Sequence, residues 1–218
     1  YHDITERKWA QRAIDGGVDG LICVNNRAGG HAGELSPEEL LRTCGDLGLP
    51  LVSAGGIGGE QDFVAALELG YAGVQMGTRF IASEECSVHL DYKAAILRAQ
   101  EDDIVLTEKL SGVPVSVIKT PYIEKIGTKA GPIARWMLKG RKTKHWMRTF
   151  YALQSIWQLR RAVHLGNAYK DYWQAGKSVH SIDRVEPAGD IVRRFAEAAR
   201  QAKAASSAPS PLPVAVGQ

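Results

Sequence analysis

Three glycine-rich stretches carry the residues whose types and spacing could do chemistry: Arg27-Ala28-Gly29-Gly30-His31-Ala32-Gly33, Ser53-Ala54-Gly55-Gly56-Ile57 and Gln75-Met76-Gly77-Thr78. Gly55 and Gly56 have no Cβ, so backbone amides beside them can approach a ligand closely. A helix is expected to start just after them, and its N-terminus would add unpaired N–H groups and a positive dipole end. That combination suits a phosphate. Gly77 and Thr78 repeat the design some 20 residues later, with a hydroxyl as extra donor. His31 is different. Its glycine neighbours give an imidazole little to pack against, and imidazole is the side chain best matched to moving a proton near neutral pH.

These stretches need elements to hold them. Gly20-Leu21-Ile22-Cys23-Val24, Leu49-Pro50-Leu51-Val52-Ser53 and Gly73-Val74-Gln75-Met76 are short apolar runs that each end at one of the loops. Such runs fit strands buried on both faces of a parallel sheet. Between them lie helical patterns. Trp9 with Ala13 and Ala10 with Ile14 pair up to the Gly16-Gly17 stop. Ser36-Pro37-Glu38-Glu39 is a capping box with proline in the first turn, ahead of Leu40, Leu41, Cys44 and Leu47. Phe63, Val64, Ala66 and Leu67 form the next apolar face. Tyr1 to Thr5 reads as a further strand end. Alternating strands and helices make an α/β fold, either a doubly wound open sheet or a (β/α)8 TIM barrel. Two successive phosphate loops favour the barrel, where the last two loops often share one phosphate site. A doubly wound sheet would carry G-x-G-x-x-G at its first turn, and no such pattern stands here.

Beyond Phe80 the pattern loosens. Cys86 to Arg98 reads as helix, Ile104 to Val117 as β-rich, and residues 120–175 as helices rich in Trp and Tyr. Tyr172 to Asp183 reads as a glycine-containing linker. Ala188 to Ala204 reads as a terminal amphipathic helix with Ile191, Val192, Phe195 and Ala199 on one face. Ser206 to Gln218 is Ala/Pro/Ser-rich, the composition of a disordered tail.

The 218 residues suffice for one substantial core and a small appended subdomain. No apolar run is long enough to cross a bilayer, so no membrane partner is expected. Cys23, Cys44 and Cys86 are scattered and odd in number, which suits buried free thiols and a cytoplasmic location. Net charge is +3, yet Lys119 to Arg148 holds nine basic residues against Glu124 alone. No nucleic-acid motif accompanies this block, although Trp136, Trp146 and Phe150 lie in or beside it, and a solvated helical face is the expected reading. No G-x-S-x-G, C-x-x-C or H-E-x-x-H is present, so hydrolase and metal sites are not expected. His2, at a strand end beside Asp3, is left open as a second histidine of the pocket.

In this order the three motifs, the last extended to Arg79-Phe80, resemble the nitronate monooxygenase family, once called 2-nitropropane dioxygenases. They are also similar to flavin-dependent enoyl-acyl-carrier-protein reductases and related NADH:quinone reductases. The resemblance runs through residues 1–120 and resumes around Gln174-Ala175-Gly176. It implies a β/α barrel with FMN at its C-terminal mouth. Gly29 and Gly30 match the flavin-contacting loop; Gly55, Gly56, Gln75, Met76, Gly77 and Thr78 match the phosphate site; His31 matches the catalytic base. It implies oxidation of a nitronate or nitroalkane with O2 to a carbonyl compound and nitrite. An NAD(P)H-dependent FMN reductase of an enoyl thioester or quinone is the alternative, and a non-redox phosphate-ligand barrel is a third reading. A homo-oligomer is compatible with all three.

The chain also departs from the family pattern. Arg27 stands where many members have Glu, and His2-Asp3 where some have His-Lys. The family's earlier βα units do not precede Tyr1, so this sequence reads as the C-terminal portion of the barrel. The expected organisation is 1–118 in the barrel, 119–187 as a mostly helical appended region, 188–204 as a helix packing on the barrel, and 205–218 as the tail.

Overall fold

A computed structural model of the chain describes residues 1–109, 113–129 and 172–207. The helices expected across 130–171, most of the basic block and the tail beyond Ser207 lie outside these residues.

Strands β1 (His2–Ile4), β2 (Leu21–Val24), β3 (Leu51–Ala54) and β4 (Gly73–Gln75) form one parallel sheet in the order β1-β2-β3-β4. Asp3 pairs with Ile22, Ile22 with Val52, and Val52 with Gly73. Helices α1 (Arg7–Asp15), α2 (Pro37–Cys44) and α3 (Glu60–Leu69) connect them. A doubly wound sheet reverses its strand order at a switch point. Here the order of the four strands follows the sequence without reversal, as it does along an arc of a β/α barrel.

Local chemistry explains the element boundaries. The capping box of α2 is formed as expected: the Ser36 hydroxyl accepts from the Glu39 amide at 3.2 Å, and the Glu39 carboxylate accepts from the Ser36 amide at 2.8 Å. Gly70 ends α3 in the left-handed region at φ +113°. Along the strands, side chains alternate between two sides. Ile4, Leu21, Cys23 and Leu51 are buried against Ala10, Ala13, Leu40 and Cys44 of the helices, with Tyr71. Each large side chain buried there is worth roughly 1.5–3 kcal/mol. Asp3, Ile22, Val24, Val52 and Ala54 therefore face the other side, the interior of the arc. Burial pushes the Cys23 thiol up to about 12, so it behaves as a small apolar side chain, as expected.

After β4 come the short α4 (Thr78–Ile81), then α5 (Leu90–Arg98), an antiparallel hairpin of β5 (Ile104–Thr107) and β6 (Val115–Ile118), and α6 (Pro121–Ile126). The terminal helix α7 spans Ala188–Ser207, three residues past its expected end. Ile191 and Phe195 are buried against Ile57 and Ala66, and Phe195 lies 5.5 Å from Phe63. Val192, expected on this face, is 56% exposed, because it is rotated one position away from the 191/195 stripe.

Residues 172–183 do not behave as a linker. Trp173, Ala175, Val179 and Ile182 are buried in one cluster with Ala82, Tyr92, Ile96 and Ile118. The Trp173 ring stacks on Tyr92 at 5.8 Å, and Lys177–Ser181 forms a 3-10 turn. The chain returns here to the sheet's ligand-facing end.

Candidate functional site

Each parallel strand delivers a loop at its C-terminal end, and these loops meet. Asn25 is fully buried at the end of β2. Its side-chain amide donates to the Gly55 carbonyl at 3.1 Å and its oxygen accepts from the Arg27 amide at 2.8 Å. One side chain thus braces the His31 loop against the Gly55 loop. Gly55 and Gly56 hold φ +118° and +80°, both costly for other residues. Space around Gly55 is also absent: a Cβ there would lie 2.4 Å from the Asn25 side-chain oxygen and 2.5 Å from the Ala28 nitrogen.

The segment 172–182 forms the opposite wall. The Gly176 amide donates to the Thr78 hydroxyl at 3.0 Å, which leaves that hydroxyl its own proton to donate. The Ser116 amide donates to the Gly30 carbonyl at 2.7 Å, and the Ile118 amide to the Trp173 carbonyl at 2.8 Å. The β5–β6 hairpin therefore ties the His31 loop to the 173–176 segment. Arg79, one residue past Thr78, is 1% exposed and donates to the carbonyls of Arg184 at 2.7 Å and Ala82 at 3.1 Å. Burial lowers its pKa from the ordinary value while Glu186, 3.5 Å away, works the other way. This buried anchor fixes α4 and with it Thr78.

These walls enclose a cleft of about 390 Å3, within the range of small-molecule sites. Gly29, Gly30 and His31 line it from the first loop, Gly55 and Gly56 from the second, and Gln75, Met76, Gly77 and Thr78 from the third. All nine residues singled out in the sequence are thereby brought to one cleft at the C-terminal end of the sheet. A second cleft adjoins the first. It is lined by His2, Thr5 and Trp9, and shares Asp3, Val24 and His31 with the first. His2 thus reaches the neighbouring lobe rather than the main one.

Three details differ from expectation. The N-terminus of α3 does not point free amides at the cleft, because the Asp62 carboxylate accepts from the amides of Gly58 and Gly59 at 3.0 Å each, and from the Ser181 hydroxyl at 2.5 Å. Burial alone would push the Asp62 carboxyl up, but these hydrogen bonds and His180 hold it below its ordinary range. Arg27 does not line the main cleft; it runs beneath Gly56 and pairs with Glu101. Sequence reasoning also missed Asp3, Gln174 and Ser178 as lining residues. The 2-residue period of β1 could have flagged Asp3, since it puts Asp3 on the interior side, opposite Ile4. Among the described residues, no group of three or more His, Cys, Asp or Glu could hold a metal, and no helix is long and apolar enough to cross a membrane.

Whether a phosphate-bearing cofactor fits can be tested on the cleft itself. A Cβ on Gly77 would meet nothing within 4 Å, so that backbone is open to a ligand. Among the described residues, no Lys or Arg lines it. A phosphate would therefore be held by the backbone amides of residues 55–57 and 77–78 and by the Thr78 hydroxyl. The arrangement fits.

A sequence-ordered parallel sheet whose glycine loops converge on one such cleft is the arrangement found at β/α-barrel ligand sites. The chain belongs to the nitronate monooxygenase family, which it matches over residues 3–197. It is 31% identical over 181 residues to a probable nitronate monooxygenase of Staphylococcus saprophyticus, covering 78% of this chain and 48% of that protein. It is 34% identical over 123 residues, 55% of this chain and 35% of the relative, to a hydroxy-methyl-oxo-octahydroindene-carboxyl-CoA dehydrogenase of Mycobacterium tuberculosis. The chain thus spans about half or less of the length of these relatives. Among solved structures, FabK from Thermotoga maritima superposes with a TM-score of 0.75 at 29% identity, covering 94% of this chain and 61% of that one. Nitroalkane oxidase from Streptomyces ansochromogenes gives 0.75 at 23% identity, covering 94% and 58%; at that identity the likeness concerns the fold.

Proposed function

We propose that this chain supplies one wall of the FMN pocket of an oxidoreductase that oxidises nitroalkanes or nitronates with O2 to a carbonyl compound and nitrite. The observation that carries the reading is the convergence of all three family motifs on a single cleft. Gly55, Gly56, Gln75, Met76, Gly77 and Thr78 hold the flavin phosphate end, and Gly29 and Gly30 carry the flavin-contacting loop. When bound, the flavin supplies the two-electron chemistry. With a nitroalkane as substrate, His31, on the wall common to both lobes, takes the α-proton onto a ring nitrogen; a nitronate, already deprotonated, needs no such step. Gln174 and Ser178 line the cleft from the opposite wall.

A second reading is supported by the relatives that are not nitronate monooxygenases. Likeness to a CoA-thioester dehydrogenase and to FabK favours NAD(P)H-dependent reduction of an acyl thioester on the same flavin. Anaerobic mixing of the flavin-loaded protein with a nitroalkane, a nitronate or NADH separates the two. Bleaching of the flavin absorbance by the nitro compound is the expected result. Rapid bleaching by NADH alone would overturn the first reading in favour of the second, and a colourless protein that takes up no FMN would overturn both.

A further inference from the structure

The terminal helix α7 backs onto both turns assigned to the phosphate. Ile191 and Phe195 are buried with Ile57, which follows Gly55-Gly56, and Met76 and Phe80, on either side of Gly77-Thr78, pack against the same cluster. Ion pairs extend this contact. Glu186, two residues ahead of α7, is 9% exposed. Its carboxylate stands 3.5 Å from the Arg79 guanidinium and accepts from Arg194 of α7. Arg194 also pairs with Glu60, the first residue of α3. The Glu186 backbone is held as well, its carbonyl accepting from the Glu84 amide at 3.1 Å.

Arg79 follows Thr78 directly, and Glu60 opens the helix that the Gly55-Gly56 loop feeds. The series Arg79, Glu186, Arg194, Glu60 therefore alternates in sign and joins the β4–α4 turn to the β3–α3 turn. None of the four lines the cleft. Arg79 is 1% exposed, and its Nε, like that of Arg194, is buried with no hydrogen-bond partner among the described residues. Desolvating such charges costs about as much as pairing them returns, so a buried ion pair adds little stability over apolar side chains of the same volume.

We propose that Glu186 and Arg194 are positioning residues that set the spacing of the two turns holding the flavin phosphate. This rests on the FMN reading above and deepens it. The series fixes geometry rather than adding stability. A phosphate held by backbone amides and the Thr78 hydroxyl needs those donors at one separation, since a hydrogen bond weakens steeply once its angle or length is off. The sign of the effect separates position from charge. Loss of an acid from the series makes the surroundings more positive, which by Coulomb attraction alone would tighten a phosphate. Loss of position loosens it.

The test titrates the full-length protein, freed of bound flavin, with FMN and with riboflavin, which carries the same ring system and no phosphate. The unsubstituted protein is compared with Glu186→Gln and Glu60→Gln. Each variant is expected to bind FMN about tenfold more weakly, the equivalent of one weakened hydrogen bond to a charged group, with riboflavin affinity unchanged. FMN affinity that holds or rises in both variants overturns the inference. So does an equal loss for FMN and riboflavin, which a merely structural role would produce. If Glu186→Gln does not fold, Glu60→Gln, which leaves the Arg79–Glu186 pair intact, decides alone. If the unsubstituted protein binds riboflavin as tightly as FMN, or binds neither, the FMN reading fails, and the inference with it.

Discussion

Gly29 and Gly176 stand back to back across the cleft wall. A Cβ on Gly29 would lie 2.8 Å from the Gly176 nitrogen, and a Cβ on Gly176 would lie 2.6 Å from the Gly29 nitrogen and 2.7 Å from the Arg27 carbonyl oxygen. Neither glycine has a positive φ, so the objection to alanine is steric. The obstructing atoms are backbone and cannot swing aside, so the two segments must part. Parting strains two hydrogen bonds: Gly176 amide to Thr78 hydroxyl at 3.0 Å, and Lys177 amide to Arg27 carbonyl at 2.9 Å. Overpacking costs about 1–3 kcal/mol, and each weakened hydrogen bond about 0.5–1.5 kcal/mol. Gly29→Ala or Gly176→Ala alone should therefore cost about 2–6 kcal/mol. Once one methyl has separated the segments, the second meets less resistance. The double variant should fall short of the sum by about 1 kcal/mol or more. Urea unfolding of the four proteins measures this cycle, and flavin retention reports the cleft in parallel. Strict additivity, or single costs below about 0.5 kcal/mol, would refute the idea that this contact holds the wall together.

Two further substitutions probe the same construction. Asp62→Asn removes the charge that caps α3 and should cost about 2 kcal/mol at neutral pH. The Asp62 pKa is depressed in the fold, so its contribution is complete above about pH 4 and fades as pH falls through the folded value; a stability gap that stays constant down to pH 2 contradicts this. Thr78→Val deprives the buried Gly176 amide of its acceptor and should cost about 1–3 kcal/mol together with flavin retention, whereas Thr78→Ser should keep both; equal behaviour of the two variants would sink the assignment.

How much of this could be read beforehand depended on how local the determining physics was. The capping box at Ser36 is a contact between residues three apart, and its pattern stands in the sequence. The strand runs were legible because each ends at a glycine loop. Strand order was legible only in part, since an open sheet and a barrel share the same alternation until two phosphate loops appear in series. Residues 172–182 were opaque for the opposite reason. They have no 2- or 3.6-residue period. What buries them is distant in sequence: the stack of Trp173 on Tyr92, and the hydrogen bond from the Tyr92 hydroxyl to the Gln174 carbonyl. Asp62 lay between these cases. An acid in the first turn of a helix opened by Gly58-Gly59 is a local signal that those amides are capped from within the chain.

The glycines of the site divide by duty, and the division bears on where a phosphate can sit. Glycine at Gly29, Gly55 and Gly56 was expected because a ligand must come close. At each of them a Cβ would instead strike the protein's own atoms: Gly176 at Gly29, Asn25 and Ala28 at Gly55, Arg27 at Gly56. These three are glycine because three loops share one small volume. Gly77 alone of the four opens on empty space. The helix N-terminus that would have been the strongest anion site is already filled by Asp62. With no Lys or Arg lining the cleft among the described residues and no free helix end at α3, the burden of holding a phosphate falls, within these residues, on the Gly77-Thr78 turn and the amides after Gly55. Affinity for the phosphate should then depend on backbone placement more than on charge. That is why remote contacts such as the buried Arg79 anchor and the Gly29–Gly176 packing bear directly on the site.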